Sequence, residues 1–329
     1  MAVSVKFSAF NLVDINYKLV NGTPISATIL VPKAIKPGRH PVIVRWHGGC
    51  FITGHRMYPA WFGTWILELA LVNSAIIITP DYQLMPEANG LDIQSDVRDL
   101  FKWLVEPGSL DACLSAGVEA DVNNMLVTGE SAGGWLALQS SYLPENRQCV
   151  RAVIAHYPMI DLRDQYSTDD YEKQIFTPVA PQLDRAILAE YLADMKNDAT
   201  ITSATPPDRV PLVISALQQG AFARFFGNDS SLYPLEVLDG ISRLPPTWIL
   251  HGTGDTVIPV DGTYKYEKKV REMFPDAKLH VHYDEGSDHG FDNAEGISMS
   301  TGWVEQGLGF ISTYWPARQP ADSFQYLSQ

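Results

Sequence analysis

The chain has 329 residues, of which 46% are apolar and 19% charged, with 24 glycines and 22 prolines. That is core-forming globular material, which excludes a disordered, collagen-like or coiled-coil chain. A formal charge of −14, with no Lys/Arg cluster to offset it, argues against nucleic acid as a partner.

At ~150 residues per domain the length suggests two domains, or one enlarged α/β unit. Cys50, Cys113 and Cys149 provide neither a disulfide framework nor metal-finger spacing. No run approaches the ~20 apolar residues of a membrane span. The opening MAVSVKFSAFNLVD is broken by Asn11 and Asp14 and reads as a structured terminus, not a signal peptide, so a cytoplasmic location is expected.

Short apolar runs bounded by Gly, Pro or Asp recur along the chain and predict buried parallel strands. They are Ile25–Val31, Pro41–Trp46, Ser74–Pro80, Met125–Thr128, Val150–Tyr157, Pro246–Leu250 and Lys278–Tyr283. Helical periodicity falls between them. Ile93, Val97, Leu100, Phe101 and Leu104 share one face of a predicted helix over Leu91–Leu104, and further helices are predicted over Ala132–Tyr142 and Tyr264–Met273. The alternation predicts an α/β fold with a mostly parallel sheet covered on both faces.

The interval 161–242 breaks the rhythm, being far longer than an ordinary crossover. It is read as an inserted helical cap, with a helix over Leu183–Met195. Residues 41–160 and 243–329 then form the core, and residues 1–40 contribute to the cap and the first strands.

Gly129-Glu130-Ser131-Ala132-Gly133 is G-x-S-x-G between a predicted strand and a predicted helix, the setting of a sharp turn that presents a serine hydroxyl above a sheet. A serine hydroxyl is a poor nucleophile and requires a base and an orienting acid. His289 lies in a small-residue loop after the last predicted strand and is the candidate base. Asp255, just past Pro246–Leu250, is the candidate acid, with Asp261 and Asp288 as rivals. His280 and His282 share a strand face, but no third ligand has metal spacing, so neither a metal nor a cofactor is expected. After the strand ending at Trp46, His47-Gly48-Gly49-Cys50-Phe51 offers closely approaching backbone N–H groups. With the N–H of Ala132, those of Gly48 and Gly49 are candidate oxyanion donors. Cys50, Phe51, Trp61, Phe222, Phe225 and Phe226 are candidates for an apolar substrate pocket.

The pieces HGG at 47–49, DYQLMPE at 81–87, GESAGG at 129–134, GTGD at 252–255 and DHGF at 288–291 together resemble the hormone-sensitive-lipase-like group of α/β-hydrolases. The resemblance implies an eight-stranded sheet, a helical cap and cofactor-free hydrolysis of small to medium apolar esters, and it permits a homodimer. It also implies Ser131 as nucleophile, His289 as base, Asp255 as acid, and architectural roles for Asp81 and Glu87. Two residues depart from the family pattern: Cys50 stands where a third glycine is common, and Glu130 where Asp is common. The same residues admit lactone, thioester or amide hydrolysis, or elimination or cyclisation on a polyketide-like substrate. A non-catalytic small-molecule receptor is the reading from a different class.

Overall fold

The computed structural model describes residues 4–175, 182–196 and 198–316. Residues 1–3, 176–181, 197 and 317–329 of the expected segments lie outside the described residues. Eight strands form one sheet in the order β1-β2-β4-β3-β5-β6-β7-β8. They are β1 (Phe10–Val20), β2 (Thr23–Pro32), β3 (Gly38–Trp46), β4 (Ile76–Pro80), β5 (Val118–Glu130), β6 (Val150–His156), β7 (Thr247–Gly252) and β8 (Leu279–Asp284). β2 runs antiparallel to both β1 and β4, and every other pairing is parallel.

The apolar runs of the interior strands are continuous because those strands feed a core on both faces. Successive side chains of a strand point to opposite sides. In β3, Val42, Val44 and Trp46 enter one core and Ile43 the other; in β4, Ile76 and Ile78 part from Ile77 in the same way. The second core packs beneath α1 (Thr64–Val72) and α10 (Gly302–Ile311), through Trp65, Ile66, Val304 and Leu308. The first core lies under α2 (Gly90–Val105), α3 (Ala132–Tyr142) and α9 (Asp261–Met273). All eleven residues of α3 are buried, as expected of a helix without a polar face. Asn89 and Asp92 close α2 with a capping box.

Among the described residues between β6 and β7 the elements are helical: α4 (Gln165–Thr168), α5 (Ala186–Asp194), α6 (Val210–Gln218), α7 (Phe222–Phe226) and α8 (Pro234–Val237), with a 3-10 turn at Ser230–Leu232. This segment is tied to the loops above the sheet. Gly54 and Ala204 exchange both backbone hydrogen bonds at 2.8 Å, and Leu84 N–H donates to Ile201 O at 2.7 Å. Glu87 accepts from Arg209 at 2.7 Å and from the Tyr191 hydroxyl. The described part of residues 1–40 lies mainly in the sheet, and Asn21 reaches the inserted segment through a hydrogen bond to Thr200.

β1 has no counterpart among the predicted strands. This edge strand alternates buried and solvated positions irregularly, and its Asn11, Asp14, Asn16 and Lys18 mask the strand pattern. No helix among the described residues is long and apolar enough to cross a membrane.

Helix α10 approaches the sheet through Gly307, where an added Cβ would lie 2.1 Å from Cζ2 of the fully buried Trp248. Gly307→Ala is therefore expected to destabilise the fold by about 1–3 kcal/mol, the usual range for overpacking. A lowered urea midpoint checks this; an unchanged midpoint would show that α10 can shift freely.

Candidate active site

The parallel strands end on one side of the sheet, and the functional candidates follow those ends: His47 after β3, Asp81 after β4, Ser131 after β5, Asp255 after β7 and His289 after β8. Loops at the carboxyl ends of parallel strands are where open α/β sheets bind ligands.

Ser131 occupies φ 58°, ψ −116°, a strained conformation for a residue with a β-carbon. Backbone contacts over-determine it. Ser131 N–H donates to His156 O at 2.9 Å, and Ser131 O accepts from Gly134 and Trp135 at 3.0 and 3.2 Å. The flanking glycines are required by close approach: a Cβ on Gly129 would lie 2.2 Å from Gly133 O, and one on Gly133 2.2 Å from Trp46 O. Strand β5 is thereby turned abruptly into α3, whose first residue is Ala132.

His289 Nδ1 and Asp255 Oδ2 are 2.7 Å apart. The other carboxylate oxygen of Asp255 accepts from the backbone N–H groups of Val257 and Ile258 at 2.9 and 2.8 Å. Burial opposes its ionisation, but the His289 charge and the hydrogen bonds from His251 and His289 outweigh that and hold the carboxyl well below its ordinary range. An ionised Asp255 can only accept, so His289 Nδ1 is the donor in this bond, which leaves Nε2 as the ring nitrogen not engaged by Asp255. The rivals are engaged elsewhere. Asp288 accepts from Thr256 N–H and Oγ1 at 2.8 and 2.9 Å, and Asp261 is exposed at the start of α9.

A cavity of about 110 Å³ brings Ser131, His289, Gly48 and Gly49 together with Cys50, Thr53, Trp61, Tyr157, Val210, Val213, Val257 and Asn293. The Ser131 hydroxyl is buried and makes no hydrogen bond to His289, so the serine–histidine bond is open in this conformation. Such bonds are commonly long before substrate binds.

After β3 the chain turns through Gly49 at φ 112°, where a Cβ would sit 2.0 Å from Thr53 O. Cys50 and Phe51 follow at φ 52° and 57°, so the non-glycine residue at 50 is held in the left-handed region. Burial, helped by the nearby Asp255 charge, pushes the Cys50 thiol up to about 12, so it remains a neutral wall group.

The pocket candidates divide. Cys50 and Trp61 line the cavity. Phe51, Phe222 and Phe226 do not: all three are fully buried, with ring centroids of Phe51 and Phe226 5.2 Å apart and Trp135 5.2 and 5.3 Å from each. They form the joint between the inserted helices and α3, with Phe225 partly buried against the same core. Aromatic residues that fill a joint and those that line a cavity have the same pattern in sequence. The cavity walls from the insertion are Val210 and Val213 on α6, and the sequence reading did not single them out. Tyr157, Val257, Thr53 and Asn293 were also missed; Tyr157 and Val257 carried a usable signal, each lying just past a strand end.

The other histidines are structurally engaged. His251 contacts Thr263 Oγ1 at 2.7 Å and Ile258 O at 2.9 Å; His282 stacks on Trp303 at 5.1 Å. Glu130 pairs with Arg45 beneath the elbow, and Asp81 accepts from Arg56 N–H at 2.8 Å and from its guanidinium.

Fold and site together define a carboxylesterase-like hydrolase. The sequence profile of the alpha/beta hydrolase fold family (Abhydrolase_3) matches residues 43–293, and the chain belongs to that family. It is 31% identical over 319 residues to the probable carboxylesterase M8 of Phoma sp., covering 94% of this chain and 98% of that protein. It is 25% identical over 342 residues to the non-reducing polyketide synthase Preu6 of Preussia isomera, covering 92% of this chain but 15% of the synthase. The esterase LipW of Mycobacterium marinum superposes with a TM-score of 0.62 at 20% identity, covering 96% of this chain and 86% of that one. The protein is a serine hydrolase of carboxylesterase type.

His47 is fully buried, its Nδ1 donating to Gly48 O at 2.8 Å and its ring stacked 4.4 Å from Tyr82. Burial, with Arg45, His55 and Arg56 nearby, lowers its pKa to about 3. Below an ordinary histidine pKa of about 6.5 the unfolded chain therefore takes up a proton that the folded one refuses, and this contribution to stability is lost as pH falls. His47→Gln is expected to flatten the acid side of the stability curve by roughly 1 kcal/mol per pH unit between pH 6 and pH 4. Urea unfolding at each pH measures it, and parallel curves for the two proteins would contradict it.

Proposed function

We propose that the protein hydrolyses carboxylic esters with short, apolar acyl groups through an acyl-enzyme on Ser131. The observation that carries the reading is the 2.7 Å His289–Asp255 contact on the same cavity as Ser131 at its strained elbow. His289 accepts the Ser131 proton as the hydroxyl attacks the ester carbonyl. Asp255 fixes the ring and stabilises the imidazolium, and the N–H groups of Gly48, Gly49 and Ala132 receive the developing oxyanion. His289 then protonates the leaving alcohol, and a water activated by His289 releases the acid.

The helical segment 161–242 serves as a cap, with Val210 and Val213 closing the cavity over the nucleophile. A volume of about 110 Å³ favours a short acyl group, since drug-sized ligands fill roughly 300–1,000 Å³. A second reading, cleavage of a polyketide-derived ester or thioester, is favoured by the extent of the match to the Preu6 synthase, which spans nearly all of this chain.

A panel of p-nitrophenyl esters and acyl thioesters tests both readings. The first predicts that kcat/KM is highest for acetyl to butyryl esters and that Ser131→Ala lowers kcat by at least ~10⁴-fold. Thioester turnover with no ester turnover would select the second reading. Full turnover by Ser131→Ala would overturn both.

A further inference from the structure

The candidate base sits between two carboxylates in the chain, Asp288 and Asp292. Asp288 ties the base loop to the acid loop through Thr256. Asp292 is 1% exposed and is the centre of a buried polar cluster that the reaction as described does not use. One of its oxygens accepts from the Tyr157 hydroxyl at 2.8 Å; the other accepts from His156 Nδ1 at 2.7 Å and Trp65 Nε1 at 3.3 Å. His156 Nε2 meets Thr128 Oγ1 at 2.9 Å, and Trp65 stacks on the His156 ring at 5.1 Å. Although burial opposes it, the His156 charge and the donors from His156, Tyr157 and Trp65 keep the Asp292 carboxyl below its ordinary range.

The cluster touches both halves of the proposed machinery. His156 O holds the Ser131 N–H at 2.9 Å, within the bonds that fix the elbow. The Tyr157 ring lies 4.4 Å from the His289 imidazole, inclined by 60°, on the wall of the same cavity. Tyr157 adopts φ 34°, uncommon for a residue with an aromatic side chain. Its backbone N–H bonds Leu250 O at 2.6 Å, and its hydroxyl receives a further hydrogen bond from Asn293 Nδ2 at 3.2 Å. A side chain tethered at its hydroxyl and strained at its backbone has little freedom to leave the imidazole it packs against.

We propose that Asp292 and Tyr157 are positioning residues for His289. Asp292 anchors the Tyr157 hydroxyl, and the Tyr157 ring fixes the plane of the imidazole between Asp255 and the nucleophile. The inference rests on His289 being the base of the proposed reaction. It assigns no proton transfer to either residue. Loss of the anchor lets the imidazole tilt, which weakens its contact with Asp255 and its alignment with Ser131.

The test compares the full-length protein with Tyr157→Phe and Asp292→Asn. Active sites are first counted by the p-nitrophenolate burst released on stoichiometric phosphonylation, so that only folded, competent sites enter the comparison. Turnover per titrated site of p-nitrophenyl butyrate is expected to fall at least ~10-fold in Tyr157→Phe and further in Asp292→Asn, as misplacement of a catalytic group predicts. KM should change less than about twofold, and the acid limb of the kcat/KM profile should move to lower pH, because a weakened pairing with Asp255 stabilises the imidazolium less. A residue that served only the fold would change the number of titrated sites and leave turnover per site and the acid limb in place. Native turnover per site and a native acid limb in Tyr157→Phe would overturn the positioning role; if that variant yields no folded protein, the same result in Asp292→Asn would do so. Absence of a Ser131-dependent burst in the native protein would overturn the functional reading, and this inference with it.

Discussion

The site depends on one strained residue. Ser131 is held at a positive φ that costs about 1–3 kcal/mol, and it stays there because its backbone N–H and C=O are bonded on both sides and because Gly129 and Gly133 admit no β-carbon. That conformation carries the Ser131 side chain out of the line of β5, and α3 starts in the next residue. Every other element of the site is placed relative to that turn. Strand β3 brings the glycine loop from one side of β5, and β6, β7 and β8 bring Tyr157, Asp255 and His289 from the other.

Charge is controlled by burial and pairing. Asp255 and Asp292 are both buried carboxylates kept ionised by an adjacent histidine and by donors on each oxygen, whereas burial, with Arg45 and Arg56 nearby, keeps His47 neutral even though Asp81 Oδ1 lies 3.6 Å from its Nε2. Unpaired buried charge is costly, so groups of this kind are stable only where the loops at the strand ends are fixed. The inserted segment helps to fix them. Its clasp on Glu87 and its backbone exchange with Gly54 set α6, and therefore Val210 and Val213, over the cavity.

Much of this was legible in the sequence where the signal is local. The short apolar runs coincide with strands, although Ile25–Val31, read as parallel, is the antiparallel β2 and β8 is only half-buried; Ala132–Tyr142 matches α3 end to end, and Asp255 and His289 lie just past strands. Legibility failed where the deciding fact is a contact across the chain. Asp292 meets His156 across 136 positions, and no pattern in either neighbourhood announces it. Phe222 and Phe226 carry the composition of a pocket wall but are buried against Phe51, which only the packing of α7 on the core decides. β1 escapes a search for continuous apolar runs for a third reason: its apolar residues are interleaved with Asn11, Asp14, Asn16 and Lys18, the pattern of an edge strand wetted on one side.

Ser131 is the residue proposed to attack. The direct measurement is the intact mass of the protein after treatment with a p-nitrophenyl phosphonate, followed by peptide mapping of the adduct. One adduct per chain is expected, carried on the peptide containing Ser131. An adduct on Cys50 or any other residue, or none in a preparation that hydrolyses esters, would contradict it.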